Sequence, residues 1–162
     1  MAYLLDANVF IQAQRLYYGL DFCPAFWEWL ILRNAKGQVF SIERVEDELK
    51  AVADDLAVWA ADRGPGFFLK PDPAMLPALG SVSSWATGQH YEPAAVSTFL
   101  QVADYYLVAH ALAHGHTVVT LEVAKTSSKK IKIPDACIGL DVKCVTTFEM
   151  LRGERARFVL GR

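Results

Sequence analysis

Little in this sequence suits an oxidising compartment, a membrane or a strongly anionic partner. Its three cysteines, Cys23, Cys137 and Cys144, include no Cys-x-x-Cys pair. An odd number of scattered thiols argues for a reducing cytoplasm and against a zinc knuckle. No apolar run approaches the roughly 20 residues needed to span a bilayer, so no membrane partner is expected. The N-terminus lacks the basic start and small-residue cleavage site of a secretory signal, because Asp6 interrupts its apolar stretch. Basic charge is scarce too: a net charge of −2 and a pI near 6.1 leave no global field to attract nucleic acid. A polyanion would need a local patch or a metal. Ser41 has no His/Asp signature near it, so a serine hydrolase is unsupported. Internal repeats and low-complexity segments are absent as well.

What is present is a core. With 53% hydrophobic and 21% charged residues, disorder is excluded. A chain of 162 residues is most simply one domain, residues 1–162. Ala2 to Leu5 reads as a buried strand that stops at Asp6, and from Val9 the spacing of Val9, Ile11, Ala13 and Leu16 fits a helix. Phe26, Trp27, Leu30 and Ile31 recur at helical spacing between Phe22 and Arg33, ending near Asn34 to Gly37. This aromatic density reads as core, although part of it could form a partner surface. Gln38 to Phe40 is a brief strand, with Ser41 expected to cap the next helix. That helix carries Ile42, Val45, Leu49 and Val52 on one face, then Leu56 and Trp59 beyond Asp54-Asp55. From Ser41 to Asp62 there are seven acids against two bases, most of them suited to a solvated face.

Residues 64–93 hold five of the seven prolines and read as an elaboration within the domain: a strand at Phe67 to Leu69, a short helix around Ala74 to Leu79, then a loop. Val96, Phe99, Leu100, Ala103, Leu107, Val108, Ala111 and Leu112 then form the strongest helical stripe, and Asp104 lies on it. A carboxylate on a buried face is costly unless paired or metal-bound. Gly115 ends this helix. His116 to Thr120 is a second core strand, running into Glu122. Lys125, Lys129, Lys130 and Lys132 follow without an intervening acid, either to grip a phosphate backbone or to solubilise a loop. Pro134-Asp135 opens a short turn or helix, Val142 to Val145 is a strand, and Phe148 to Arg152 begins a closing helix. The alternation predicts an α/β fold with a mainly parallel sheet.

Asp6 and Glu122 each follow a short apolar strand, so in a parallel sheet both emerge at its carboxyl edge, where ligands bind in open α/β sheets. A helix cap is the local alternative for Asp6 or Asn8. Asp104 precedes Glu122 by one connection. Spacing does not choose a fourth acid, since Glu46 and Glu48 each lie roughly 80° from the centre of their apolar face.

The set in order resembles the four acidic motifs of PIN domains: Asp6 in Leu-Leu-Asp-Ala-Asn-Val-Phe-Ile, Glu48 in Ser41-x6-Glu48-Leu49, Asp104 in Ala-Asp-x-x-Leu-Val-Ala-x-Ala, and Glu122 in Val-Val-Thr-x-Glu. The similarity runs over nearly the whole chain. It is closest to a sparsely characterised PIN-like branch with Cys-Pro-x-Phe-Trp, here Cys23 to Trp27, and Val-Lys-Cys-Val-x-Thr-Phe-Glu-Met-Leu, here Val142 to Leu151. The resemblance implies a three-layer α/β/α sandwich and a Mg²⁺- or Mn²⁺-dependent endoribonuclease, of the kind that includes VapC-type toxins of prokaryotic toxin–antitoxin pairs. Asp6 and Asp104 would be direct metal ligands, with Glu48 and Glu122 as ligands or as orienters of metal-bound water; Asn8 and Thr120 would support them. Many such toxins have Asp where Glu122 stands, and some add another Asp where this chain has Lys125, so Asp135 remains an alternative to Glu122. RNA and an antitoxin protein are the implied partners, with a homodimer also open.

Three rival readings compete with this one. A haloacid-dehalogenase-type phosphatase also begins with a strand ending in Asp-x-Asp, but Asn8 replaces the second Asp and no late Asp-Asp pair follows a strand. A non-catalytic PIN-like module binding RNA or protein would show a degraded acidic set, whereas this one is intact apart from the Glu122 question. His110 and His114, spaced i, i+4, with His116, invite a zinc site. At 80–120° from Asp104 around the helix, they read instead as surface or partly packed histidines.

Overall fold

In the computed structural model, which describes residues 2–161, five short strands form one sheet. They are β1 (Tyr3–Leu5), β2 (Val39–Ile42), β3 (Phe68–Leu69), β4 (Thr117–Val119) and β5 (Cys144–Val145). Their order is β3-β2-β1-β4-β5, and every neighbouring pair is parallel. The register sets Leu4 beside Phe40 and Val118. The strand order reverses between β1 and β4, and a crevice opens at such a switch point outside the strand carboxyl ends.

Helices cover both faces of this α/β/α sandwich. Helix α1 (Ala7–Gln12) runs into a π-helical turn, Ala13–Tyr17, closed by the Tyr18 N–H donating to the Ala13 carbonyl at 2.7 Å. That turn interrupts the expected apolar stripe, and Leu16 is exposed. Helix α2 (Pro24–Ala35) starts with proline at its first position, where no N–H is needed, and closes before Gly37 at φ 73°. Helices α3 (Glu43–Lys50) and α4 (Asp55–Ala61) follow, with the Asp54 carboxylate accepting from the Ala57 N–H at 2.9 Å to cap α4. The restart at Asp54 leaves Val52 exposed rather than on a continuous face. Phe10 of α1, Trp27 of α2, Trp59 of α4 and Phe67 interlock with centroid separations of 4.9–6.4 Å, forming an aromatic core on one side of the sheet.

On the other side pack α5 (Met75–Gly88), α7 (Ala103–His114) and α8 (Ile133–Gly139), with α6 (Pro93–Phe99) before α7 and α9 (Thr147–Gly153) closing the fold. Three sequence expectations change here. Ser41 does not cap a helix: it sits in β2, fully buried, and its hydroxyl donates to the Leu5 carbonyl at 2.6 Å, latching β2 to β1. The short helix expected near 74–79 extends to Gly88, because Val82 and Ala86 are buried. The long stripe from Val96 to Leu112 is two helices, α6 and α7, broken at residues 100–102. Gly115 ends α7 in the left-handed conformation, φ 69°, a conformation that glycine adopts without a side-chain clash.

Candidate active site

Asp6 occupies the N-cap of α1. One carboxylate oxygen accepts from the Ala7 N–H at 2.7 Å and the other from the Thr120 hydroxyl at 2.8 Å. The capping role and the place at the sheet edge are thus held together by a single side chain. Thr120, just past β4, is the hub of this edge. Its one proton goes to Asp6, and its oxygen accepts from the Asn8 amide at 3.3 Å and from the Glu122 N–H at 3.1 Å. Asn8 in turn accepts from the Leu121 N–H at 3.1 Å, fixing the start of the loop after β4 to α1.

The break at residues 100–102 moves Asp104 from mid-helix to the first turn of α7. Glu122 reaches across to the next helix start, where its carboxylate accepts from the Ile133 N–H at 2.9 Å. Asp6, Asp104 and Glu122 therefore each sit at the N-terminal end of a helix, α1, α7 and α8. Backbone N–H groups and helix dipoles favour negative charge at such ends. In a parallel α/β sheet the covering helices run against the strands, so their starts lie toward the carboxyl edge of the sheet.

The charges interact. Burial pushes the Asp6 carboxyl up to about 7, with the negative charges of Asp104 and then Glu122 adding to the rise and the Thr120 hydrogen bond opposing it. Burial likewise pushes Asp104 up to about 6, with Glu122 and Glu48 adding and Lys130 opposing. Glu48, on α3, is raised by partial burial. Of the two boundary acids on α3, Glu46 pairs with Lys50 at 3.7 Å, whereas Glu48 lines a cleft with Asp104. That cleft has a volume of about 440 Å³, and Thr98 and Phe99 of α6 and Lys129 and Lys130 form its other walls.

Asp135 is engaged elsewhere, accepting from the Lys125 N–H at 3.2 Å and so folding the lysine loop over α8. Lys132 is the N-cap residue of α8. Lys125 is exposed and does not line the cleft, so Lys129 and Lys130 alone of the four lysines do so. Sequence reading missed the α6 wall, since Val96 and Phe99 read as the start of one long helix. Among the described residues, no three His, Cys, Asp or Glu groups are already gathered so as to hold a metal ion. Burial raises the Asp6 and Asp104 carboxyls first, and the negative charge of the neighbouring acids adds to the rise.

Residues 3–158 match the family described as a domain of unknown function, DUF4411. The chain belongs to that family. No match is found among curated proteins. The crystal structure of FitAcB from Neisseria gonorrhoeae is similar in fold to this DUF4411 chain, with a TM-score of 0.55 at 20% identity, covering 88% of this chain and 96% of that one. At that identity the likeness is one of fold. No helix among the described residues of the DUF4411 chain is long and apolar enough to cross a membrane.

Proposed function

We propose that this DUF4411 protein is a metal-dependent endoribonuclease, with Asp6, Glu48, Asp104 and Glu122 as its acidic set and Mg²⁺ or Mn²⁺ as its cofactor. The observation carrying this reading is that acids from four separate stretches, three of them at helix starts, meet electrostatically at the switch point of a parallel sheet. The four-motif resemblance to PIN domains supplies the reaction class and extends the proposal to a toxin with an antitoxin partner.

The residues fit such an ion. All four donors are carboxylates, the hard oxygen set suited to Mg²⁺ or Mn²⁺. Asp6 uses one lone pair on each oxygen for its hydrogen bonds and keeps another on each, and Glu122 has one oxygen free of the Ile133 bond. A bound divalent ion would polarise the phosphodiester and lower the pKa of water at neutral pH. Asp6 and Asp104 would hold the ion, Thr120 and Asn8 would fix Asp6 and the loop bearing Glu122, and Glu48 would orient water from the open side of the cleft. Lys129 and Lys130 would take the phosphates on either side of the scissile bond. Hydrolysis would leave a 5′-phosphate and a 3′-hydroxyl.

The test is cleavage of structured RNAs by the purified chain, with end-group analysis. EDTA should abolish cleavage and Mg²⁺ or Mn²⁺ restore it. Asp104→Asn should reduce the rate by roughly 10²–10³-fold, the loss typical when one electrostatic stabiliser of the transition state is removed. Cleavage unchanged in EDTA would contradict the proposal, and a folded parent without cleavage under any metal would favour a non-catalytic RNA- or protein-binding module.

A further inference from the structure

The far end of α7 holds a second cluster, unconnected with the acids. Asp104 and His114 are ten residues apart on one helix, a span of about 15 Å. His110 and His114 lie one turn apart, and the left-handed Gly115 turns the chain so that His116 comes back against them. The three rings are mutual neighbours, with centroids 4.8, 5.8 and 6.2 Å apart. Contrary to the surface or partly packed placement expected from sequence, His110 is only 3% exposed. The connection after β3 brings in Asp72, whose carboxylate lies 2.7 Å from Nε2 of His114.

Polar satisfaction is what sets this cluster apart. Among the described residues five buried side-chain polar atoms have no hydrogen-bond partner, and three of them are here: Nδ1 of His110, Nδ1 of His116 and one oxygen of Asp72. A buried polar atom left without a partner is destabilising, which is why such atoms are rare in folded proteins. Asp72 keeps the proton of His114 on Nε2, which leaves the lone pair on Nδ1. A carboxylate backing an imidazole in this way is the usual arrangement behind a metal-ligating histidine. Three imidazoles bound to one ion at about 2.0–2.1 Å have centroids roughly 5 Å apart in a tetrahedral arrangement. The observed separations bracket that spacing. The ring planes lie within 21–41° of one another, so the nitrogens converge only when the rings turn about χ2, a broad and soft torsion. His110 also lines a cavity of about 310 Å³ with Arg44, Met75 and Tyr106.

We propose that His110, His114 and His116, with Asp72 orienting His114, form a second cation site for a zinc-type transition ion. Its nitrogen donors suit Zn²⁺ or Co²⁺, whereas the acidic site suits Mg²⁺ or Mn²⁺. When filled, it ties the β3–α5 connection to the end of α7 and the start of β4.

The test uses the full chain, stripped by chelator and held in excess Mg²⁺ to occupy the acids. Titration with Co²⁺ should give the visible absorption of a tetrahedral nitrogen site at one equivalent, displaced by Zn²⁺. His114→Gln should abolish the absorption. Asp72→Asn should weaken Zn²⁺ binding by about 10–100-fold, as removal of such a carboxylate does. Asp104→Asn should leave both unchanged, which separates this site from the acidic one. Asp72 and His114 are partly exposed, so both variants should fold, as circular dichroism of the metal-free proteins will show. No tetrahedral Co²⁺ spectrum in the parent would overturn the site, as would equal binding by His114→Gln or loss of binding in Asp104→Asn. Should His114→Gln fail to fold, His116→Gln takes its place with the same expected loss.

Discussion

Helix α7 carries Asp104 in its first turn and His110 and His114 toward its last, and the two ends treat their ionisable groups in opposite ways. At the start of the helix, acids are crowded together but each is supported: Asp6 by Ala7 and Thr120, Glu122 by Ile133, Asp104 by the helix start itself. At its end, imidazoles are packed together and two ring nitrogens have no partner. Burial raises Asp6 and Asp104, which favours their protonated, neutral forms, and lowers His110 to about 4, which also favours its neutral form. The same physics, desolvation of charge, thus acts with opposite sign on the titration of acids and bases. A divalent ion reverses the penalty for the carboxylates, because it supplies the missing positive charge.

This contrast predicts opposing pH slopes in the metal-free protein. An unfolded Asp releases its proton near 3.8, while folded Asp6 and Asp104 keep theirs to about 7 and about 6. In that interval the folded state binds more protons, so the acids' contribution makes stability fall as pH rises. An unfolded His takes up a proton below 6.5, while folded His110 stays neutral down to about 4. There the unfolded state binds more protons, so His110 makes stability fall as pH drops. Urea unfolding in EDTA from pH 4.5 to 8 should show Asp104→Asn removing roughly 2–3 kcal/mol of the acids' fall and His110→Gln removing a similar amount of the opposite slope. If both variants change the slope in one direction, the contrast is broken.

Support at the acid end can be removed at a single residue. Thr120→Val deletes the donor to Asp6 and the acceptor for Asn8 and Glu122. Loss of about 1–3 kcal/mol is expected at pH 8, with the Asp6 carboxyl raised further since the Thr120 bond lowers it. NMR titration of Asp6 beside a denaturation curve measures both, and an unmoved Asp6 would remove Thr120 from its hub position. The smallest effect belongs to the cleft wall. Lys129→Ala with Lys130→Ala should reduce the salt dependence of RNA binding by roughly 0.7 per lost phosphate contact in log–log slope. Filter binding across a salt series reads that slope, and an unchanged value would leave the loop a solubilising role.

Much of the acid end was legible because its signal is local: a buried strand halted by an acid, twice, at Asp6 and at Glu122. What sequence left open was decided by tertiary contacts. Glu46 and Glu48 are equivalent by periodicity and differ only because Lys50 takes one and the cleft takes the other. The break before Asp104 was hidden because Leu100 and Ala103 continue the apolar stripe across the turn. The later half of α5 was expected as loop, yet packing of Val82 and Ala86 outweighs the weak helix propensity of Gly80 and the serines around it. Ser41 looked like a cap because its hydroxyl suits one, but the bond it makes is to Leu5, 36 positions away. His110 was misplaced because the elements covering it, the β3–α5 connection and His116, approach from distant parts of the chain.

Thermal melts of the parent and Asp104→Asn, each in EDTA and with Mn²⁺, test the acidic site most directly. In EDTA the Asn variant should match or exceed the parent, since one repelling charge is gone. Mn²⁺ at about 100 times its dissociation constant should stabilise the parent by roughly 2.7 kcal/mol and the variant by much less. An Asn variant that is less stable in EDTA, yet gains as much from Mn²⁺ as the parent, would show that Asp104 is structural and that the ion binds elsewhere.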